Sequence, residues 1–165
     1  MRKLIFAAFA VLAFASVSAQ GQFRAGLSGG LPIGDAGDAA TFAIAVDLGY
    51  LFEVSDKFDA GVTTGYSHSF GDEIEILGVT VEIDDVQFIP VAASGRFEVA
   101  PDFTLGADLG YAIGINDGND GGFYYSPRVQ YSVSEAIDIV AAYRGVSVDG
   151  GSWDIISAGV EFGLD

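Results

Sequence analysis

Phe42-Ala-Ile-Ala-Val-Asp-Leu-Gly-Tyr-Leu-Phe52 alternates large apolar residues with residues that are mostly small, with one acid among them. Because a β-strand points successive side chains to opposite faces, this stretch predicts a strand with one apolar face and one small or polar face. About eight segments of this kind follow one another between Gln22 and Asp165. Repeated behind an export signal, the pattern predicts a barrel whose apolar face meets lipid.

The connections between these segments alternate in character. The predicted strands are about 22–31, 41–54, 59–70, 86–99, 103–114, 122–133, 137–147 and 153–164. Three connections are short turns, at Ser55–Phe58, Ala100–Asp102 and Ser134–Ala136, and four are mostly longer loops, at Pro32–Ala40, Gly71–Asp85, Ile115–Gly121 and Val148–Ser152. Short turns on one rim and longer loops on the other are typical of an outer-membrane barrel. The predicted fold is therefore all-β, an eight-stranded antiparallel up-and-down transmembrane β-barrel.

The N-terminal segment has the features of a signal peptide. Arg2 and Lys3 supply a positive start, and Leu4–Ala15 form an apolar stretch that is too short to span a bilayer as a helix. A small-x-small pattern ends at Ala19, so we predict cleavage between Ala19 and Gln20. The expected division is a signal peptide over 1–19 and one barrel domain over 20–165.

Composition narrows the class of partner. Without Arg2 and Lys3 the chain keeps 5 basic and 23 acidic residues, a formal charge of about −18. Such a surface argues against nucleic-acid binding, which needs basic stripes. Lys57 is the only lysine left after cleavage, whereas a soluble protein covers itself with Lys and Glu. The chain has no cysteine, so it has neither a disulfide framework nor thiol chemistry.

The two faces of the strands differ in chemistry. Aromatic residues of the apolar face fall near strand ends, as expected for girdles at the two membrane interfaces. The other face carries small residues together with all four arginines of the mature chain and six acids. These charged residues are Arg24, Asp47, Glu53, Arg96, Glu98, Asp108, Arg128, Asp138, Arg144 and Glu161.

An eight-stranded barrel has room inside only for its own side chains. We therefore expect these ten charged residues to form an ion-paired network that fills the lumen. The favoured interpretation is a structural plug, because eight strands leave no continuous water path of useful width. The alternative is a gated, narrow pore controlled by the same pairs.

Four residues depart from the regular pattern. Pro90 and Pro127 lie within predicted strands, where each removes a ladder hydrogen bond, so we expect a bulge or irregular pairing at both. Phe88 and Tyr124 fall on the small-residue face, and we expect them near the loop rim.

Catalysis and metal binding have little support in the sequence. His68 is the only histidine, and Tyr66 and Phe70 stand two positions away from it, while the adjacent serines face the lumen. The nucleophile–base contact of a hydrolase is thus not supported, and we expect a structural histidine at the interface. The acidic loop 116–122 lacks the spacing of an EF-hand, and an acidic hairpin within 72–85 is expected to extend above the membrane as a solvated rim. We predict no enzyme activity, no cofactor and no metal site.

Two pieces of the sequence look familiar, Phe88-Ile-Pro-Val-Ala-Ala-Ser-Gly-Arg-Phe97 and the closing Ser157-Ala-Gly-Val-Glu-Phe-Gly-Leu164. With these pieces and the alternation of its strands, the chain resembles the bacterial outer-membrane β-barrel family that includes the transmembrane domain of OmpA and OmpX. The resemblance implies residence in the outer membrane and insertion by the barrel-assembly machinery. We expect a monomer in contact with outer-membrane lipid and lipopolysaccharide.

Three hypotheses for the role follow. The first is a non-enzymatic outer-membrane protein with a plugged lumen, whose acidic loops face outward and serve a structural or surface-interaction role. The second is a small porin-like channel or transport protein. The third is a soluble lipocalin-like barrel that binds an apolar ligand, in which the large apolar residues would point inward; these residues would overfill an eight-stranded interior.

Overall fold

The described residues form ten β-strands, eight of which make one closed barrel. The computed structural model describes residues 21–76 and 79–164, with side chains for all of these except 74–76 and 79. The barrel strands are β1 (Gly21–Ile33), β2 (Ala40–Ser55), β3 (Phe58–Gly71), β6 (Val86–Ala100), β7 (Phe103–Gly114), β8 (Gly122–Ser134), β9 (Ile137–Val148) and β10 (Gly151–Leu164). Strands β4 (Glu73–Ile76) and β5 (Val79–Glu82) pair with each other in a separate hairpin, as predicted for the longest loop.

Each barrel strand pairs antiparallel with its two neighbours, in the order β1-β10-β9-β8-β7-β6-β3-β2. The first and last strands close the ring through a continuous register from Phe23↔Leu164 to Ile33↔Asp154. A single turn of 3-10 helix, Gly34–Ala36, lies in the loop after β1. The predicted eight-stranded barrel is confirmed, and no predicted strand end is off by more than two residues.

The predicted faces are also confirmed. Large apolar residues lie on the outside; for example, Phe23 is 61% exposed, Leu48 54% and Leu109 53%. Charged and small residues lie on the inside, where Arg96 and Asp108 are buried. Such an exterior is stable in lipid and unfavourable in water, which contradicts the soluble, lipocalin-like alternative.

Both prolines interrupt the pairing without shifting it. Between β3 and β6 the pairs Thr64↔Val91 and Ser67↔Phe88 keep the same register. The two pairs that would lie between them, one of which includes Pro90, are not formed. The same kind of gap lies opposite Pro127 between β8 and β9. The hydroxyl of Thr64 donates to the Pro90 carbonyl over 2.9 Å, which satisfies one of the freed backbone groups. Irregular pairing is thus confirmed, but neither proline produces a bulge.

The predicted signal peptide and its cleavage site between Ala19 and Gln20 lie outside the described residues. Within the described part of the chain, no helix is long and apolar enough to span a bilayer.

Candidate functional site: the barrel interior and the loop end

The barrel interior contains three tiers of ion pairs. The tier nearest the short turns joins Arg24 of β1 to Asp138 of β9, with 2.6 Å between Nη1 and Oδ2. The hydroxyl of Ser132 donates to the second carboxylate oxygen of Asp138 over 2.6 Å. Each oxygen of this carboxylate therefore accepts a hydrogen bond from a different strand.

The middle tier is the most deeply buried. Arg96 Nη1 donates to Asp108 over 2.8 Å, and the Ser94 hydroxyl donates to the same carboxylate oxygen over 2.6 Å. Arg128 lies between two acids, with Nη1 3.5 Å from Asp108 and Nη2 2.8 Å from Glu161. These side chains are only 5–6% exposed, so each charge depends on its partners rather than on bulk water.

The third tier lies nearest the loops and is built around Arg144 of β9. Its guanidinium donates to both oxygens of Asp47 on β2, with 3.0 Å between Nη1 and Oδ1. It also donates to the hydroxyls of Ser28 and Ser157, each over 3.2 Å. This geometry uses every nitrogen of the guanidinium and holds four strands together.

Glycine makes room for these long side chains. Gly106 of β7 pairs with Arg96 on one side and with Arg128 on the other, and it faces the interior. A Cβ atom at this position would lie 2.6 Å from Arg96 Cδ. The small interior residues therefore let two guanidinium groups approach Asp108 from neighbouring strands.

The structure brings eight of the ten predicted interior charges into ion pairs. The inclusion of Glu53 and Glu98 in the ion-paired set needs correction, since both are exposed and neither is within ion-pair distance of a basic group in the described residues. Both residues belong to the last regular pair before a turn, Glu53↔Asp59 and Glu98↔Thr104, and at these strand ends their side chains reach solvent.

The sequence interpretation missed several polar partners. Gln130 donates to Glu161 over 3.0 Å. Asp59 pairs in register with Arg96 and is half-buried at the turn end. Four serines also bind the interior charges, at positions 28, 94, 132 and 157. Their place on the small-residue face was readable from the alternation, but their partners depend on the register between strands.

The loop end of the interior contains a cluster of large, mostly apolar side chains, which we call the apolar cap. Its members are Phe88, Ala112, Tyr124, Val146, Trp153 and Ile155. Phe88 is 2% exposed and Tyr124 is 5% exposed, and both lie toward the loops as predicted. The indole N–H of Trp153 donates to the Ser69 hydroxyl over 3.1 Å. The interior is thus ionic from the turn end to Arg144 and mostly apolar beyond it.

His68 lies on the outer face of β3, between a tyrosine and an acid. Its Nδ1 is 2.9 Å from the Tyr66 hydroxyl, and its Nε2 is 2.8 Å from Asp85 Oδ2. Neither adjacent serine reaches the ring, because Ser67 and Ser69 face the interior. The histidine therefore attaches the end of the hairpin loop to β3.

Asp85 is held at two points. Its Oδ1 accepts the Gly71 backbone N–H over 2.9 Å, and its Oδ2 contacts His68. The N–H of Gly71 is the main reason that the pKa of Asp85 lies below its ordinary value; partial desolvation opposes this shift, and the His68 contact adds to it. Asp85 therefore holds the end of the hairpin loop against β3 just before β6 begins.

The loop 115–121 is attached to the neighbouring strand by its asparagines. Asn116 Oδ1 accepts the Gln87 backbone N–H over 2.9 Å, and Asn119 donates to the Gln87 carbonyl over 2.9 Å. The asparagines thus extend the edge of β6 by backbone-like hydrogen bonds. Among the described residues, no group of three or more His, Cys, Asp or Glu side chains is arranged to hold a metal ion.

Acids dominate the loop end of the barrel. The segments 34–39, 72–85, 115–121 and 149–150 contain no Lys or Arg. Their acids are Asp35, Asp38, Asp72, Glu73, Glu75, Glu82, Asp84, Asp85, Asp117, Asp120 and Asp149. The four arginines of the barrel are all occupied with interior acids, so they do not offset this charge.

Solved structures with the same fold come from outer-membrane proteins and from design. Ail of Yersinia pestis in a phospholipid bilayer nanodisc aligns with a TM-score of 0.59 at 16% identity, covering 88% of this chain and 100% of Ail. The N-terminal β-barrel domain of OprF from Pseudomonas aeruginosa aligns with a TM-score of 0.52 at 15% identity, covering 89% and 100%. Neisserial surface protein A aligns with a TM-score of 0.51 at 16% identity, covering 87% of this chain and 97% of that protein's chain. At these identities the similarity concerns the fold alone.

The family assignment comes from the sequence profile of the outer membrane protein beta-barrel domain, which matches residues 4–163. A comparison with curated proteins finds no significant match. The match spans nearly the whole chain, and the closed barrel with its apolar exterior agrees with it. The chain therefore belongs to the outer membrane protein β-barrel family and resides in the outer membrane, with its strands in contact with lipid.

Proposed function

We propose that this protein is a non-enzymatic outer-membrane barrel with a closed interior, whose acidic loop end faces outward and takes part in structural or surface interactions. The observation that carries the proposal is the separation of charge: the loop segments hold eleven acids and no basic residue, while every barrel arginine is paired inside. A cluster of acids without lysine or arginine beside it in the sequence creates a negative potential that attracts cations.

The proposed partner of the loop end is lipopolysaccharide, bound through divalent cations. Carboxylates and phosphates repel each other directly, but Mg²⁺ or Ca²⁺ binds oxygen ligands from both. Ail of Yersinia pestis has been crystallised with the heparin analogue sucrose octasulfate, a polyanion. The acidic loops of this chain disfavour direct polyanion binding, so a bridging cation is central to the proposal.

The closed interior is supported by the ion pairs and the apolar side chains that occupy it. Four arginines meet four acids at hydrogen-bond or ion-pair distance, and the apolar cap fills the loop end. The alternative from the sequence, a narrow channel, has less support because its path would have to cross both the ion-paired tiers and the apolar cap. We also propose that the barrel is a monomer inserted by the barrel-assembly machinery, because a closed ring leaves no strand edge for pairing with a second copy.

The absence of catalysis is part of the proposal. The support is the surroundings of His68, whose two ring nitrogens contact Tyr66 and Asp85, so that neither is bonded to a serine of the described residues. An assay of hydrolysis of outer-membrane lipid tests this point, and release of fatty acid that depends on His68 would contradict it.

The magnesium dependence of stability in vesicles that contain lipopolysaccharide tests the main proposal. We expect Mg²⁺ to raise the thermal midpoint of the unaltered protein. A variant with Asp72→Asn, Glu73→Gln, Glu82→Gln and Asp84→Asn should lose a clear part of this increase, because four of the eleven loop acids are neutralised.

A matched control neutralises four acids at the opposite end, with Glu53→Gln, Asp56→Asn, Asp102→Asn and Glu135→Gln. These residues are exposed near the turns, so the variant should keep the magnesium response of the unaltered protein. An undiminished response in the loop variant, or an equal loss in both variants, would contradict the proposal.

A further inference from the structure

We propose that the permeability barrier of this barrel is its apolar cap, and that the ionic tiers beneath it form a hydrated vestibule open only at the turn end. This inference rests on the closed interior of the proposed function and assigns the closure to particular residues. The unaltered protein would admit water from the turn end as far as Arg144 and exclude it beyond the cap.

The ionic tiers leave hydrogen-bond donors without a protein partner. The Nε atoms of Arg24, Arg96 and Arg128 are buried, and none of them has a partner among the described residues. An unsatisfied buried guanidinium N–H is costly, and such groups in proteins are usually bound by ordered water. The interior charges thus require water in addition to one another.

Space for this water lies beside the same donors. A cavity of about 10 Å³ is lined by Arg24, Arg96, Thr63, Asp47 and Glu161, among others. This volume corresponds to about one water molecule, and the lining offers several polar partners. A second cavity of about 10 Å³ has Arg128 and Arg144 in its lining. The ionic tiers can therefore hold a short series of waters.

Exposure at the two ends indicates where this water enters. At the turn end the Arg24 side chain is 20% exposed, whereas Arg128 in the middle tier is 5% exposed. Glu53 and Glu98 beside this mouth are exposed as well. At the loop end, by contrast, Phe88 is 2% exposed and Ala112 is 0% exposed. Water reaches the arginines from the turn end and meets the cap at the other.

The chemistry of the two layers decides which one is the barrier. Ion pairs tolerate water and can exchange partners; Arg128 is already shared between Asp108 and Glu161. A constriction lined mostly by apolar side chains disfavours water, because water in it would lose hydrogen bonds that few side chains there replace. The cavity of about 20 Å³ where Arg144 meets Phe88, Tyr124 and Ile155 marks the boundary.

Planar-bilayer conductance distinguishes the cap from the ionic tiers. We expect the double variant Phe88→Ala and Trp153→Ala to show discrete openings at least about tenfold more often than the unaltered protein, because the dry constriction is gone. The control is Arg128→Gln with Glu161→Gln, which removes one ion pair with little change of volume and should stay close to the unaltered protein. The inference would be overturned if the cap variant opened no more often than the unaltered protein, or if the ionic variant opened as often as the cap variant.

A second measurement keeps the cap intact and does not depend on the folding of the double variant. The chain has no cysteine, so Thr63→Cys places one thiol in the ionic interior. In vesicles that hold the barrel in one orientation, we expect silver ions to react with this thiol from the turn side and not from the loop side. Equal reaction from both sides would overturn the inference. Steady openings of the unaltered protein would instead contradict the closed interior of the proposed function.

Discussion

Arg24 and Asp138 form an ion pair across an intervening strand, with 2.6 Å between Nη1 and Oδ2. Strand β10 lies between their strands, and its residue opposite Arg24 is Gly163, which has no side chain to block the contact. Arg144 reaches farther, from β9 across β10 and β1 to Asp47 on β2. These pairs therefore join strands that share no backbone ladder, and they reinforce the ring where β1 meets β10.

Loss of a central arginine should destabilise the barrel strongly. Arg128→Gln leaves Glu161 and Asp108 buried with fewer partners, and we expect the free energy of unfolding to fall by about 3 kcal/mol. Equilibrium unfolding in lipid vesicles, followed by the fluorescence of the single tryptophan, measures this change. The control Glu98→Gln lies at the exposed mouth and should change stability by less than about 0.5 kcal/mol. Similar values for both variants would show that the buried pairs contribute little.

The absence of a side chain at Gly106 should also be necessary for the stability of the barrel. Gly106→Val places atoms where Arg96 now passes, so the guanidinium must leave Asp108 or the strands must separate. We expect a loss of about 2 kcal/mol, typical of overpacking. Ala107→Val is the matched control, because its side chain is exposed on the lipid face of the same strand. If Gly106→Val unfolds like the control, the interior is looser than the register implies.

The cost of charge on the exterior should depend on depth. Leu109 lies near the middle of β7 and is 53% exposed on the apolar surface. Leu109→Arg should cost about 3 kcal/mol, whereas Val133→Arg, beside the turn that ends β8, should cost about 1 kcal/mol or less. Unfolding in vesicles again provides the measurement. Equal costs at both depths would contradict the proposed position of the membrane.

The contact between Asp85 and the Gly71 N–H, which holds the end of the hairpin loop, should be lost at acid pH. Since the Gly71 N–H and His68 lower the folded-state pKa of Asp85 below the ordinary 3.8, the contact is present above the ordinary pKa and is lost as the pH falls through the lower folded value. In an NMR titration of the protein in nanodiscs, the Gly71 amide should therefore shift with a midpoint below 3.8.

Two variants support the assignment of that titration. Asp85→Asn should abolish the shift of the Gly71 amide, while Asp84→Asn, at the exposed neighbouring position, should leave it intact. A midpoint at or above the ordinary carboxyl value would mean that the contact between Asp85 and Gly71 does not persist in solution.

Most of the barrel was predictable because its signal is local. The alternation at Phe42–Phe52 has the period of a strand, and the turn residues at Ser55–Phe58 mark its end, so both can be recognised without knowledge of the rest of the chain. The same local rule placed Phe88 and Tyr124 inside. It did not predict that Glu53 and Glu98 lie at the last regular pairs before the turns, where both side chains are exposed to solvent.

The alternation and the composition by themselves determined the number of strands, the two faces and the absence of basic residues from the loops, because each depends on neighbours in the chain. Only the tertiary structure decided which arginine binds which acid, that His68 holds Asp85, and that a mostly apolar cap lies above the ionic tiers. These contacts depend on the stagger between strands of a closed ring, which brings together Arg24 and Asp138, 114 positions apart in the chain. A period of two residues contains no information about that stagger.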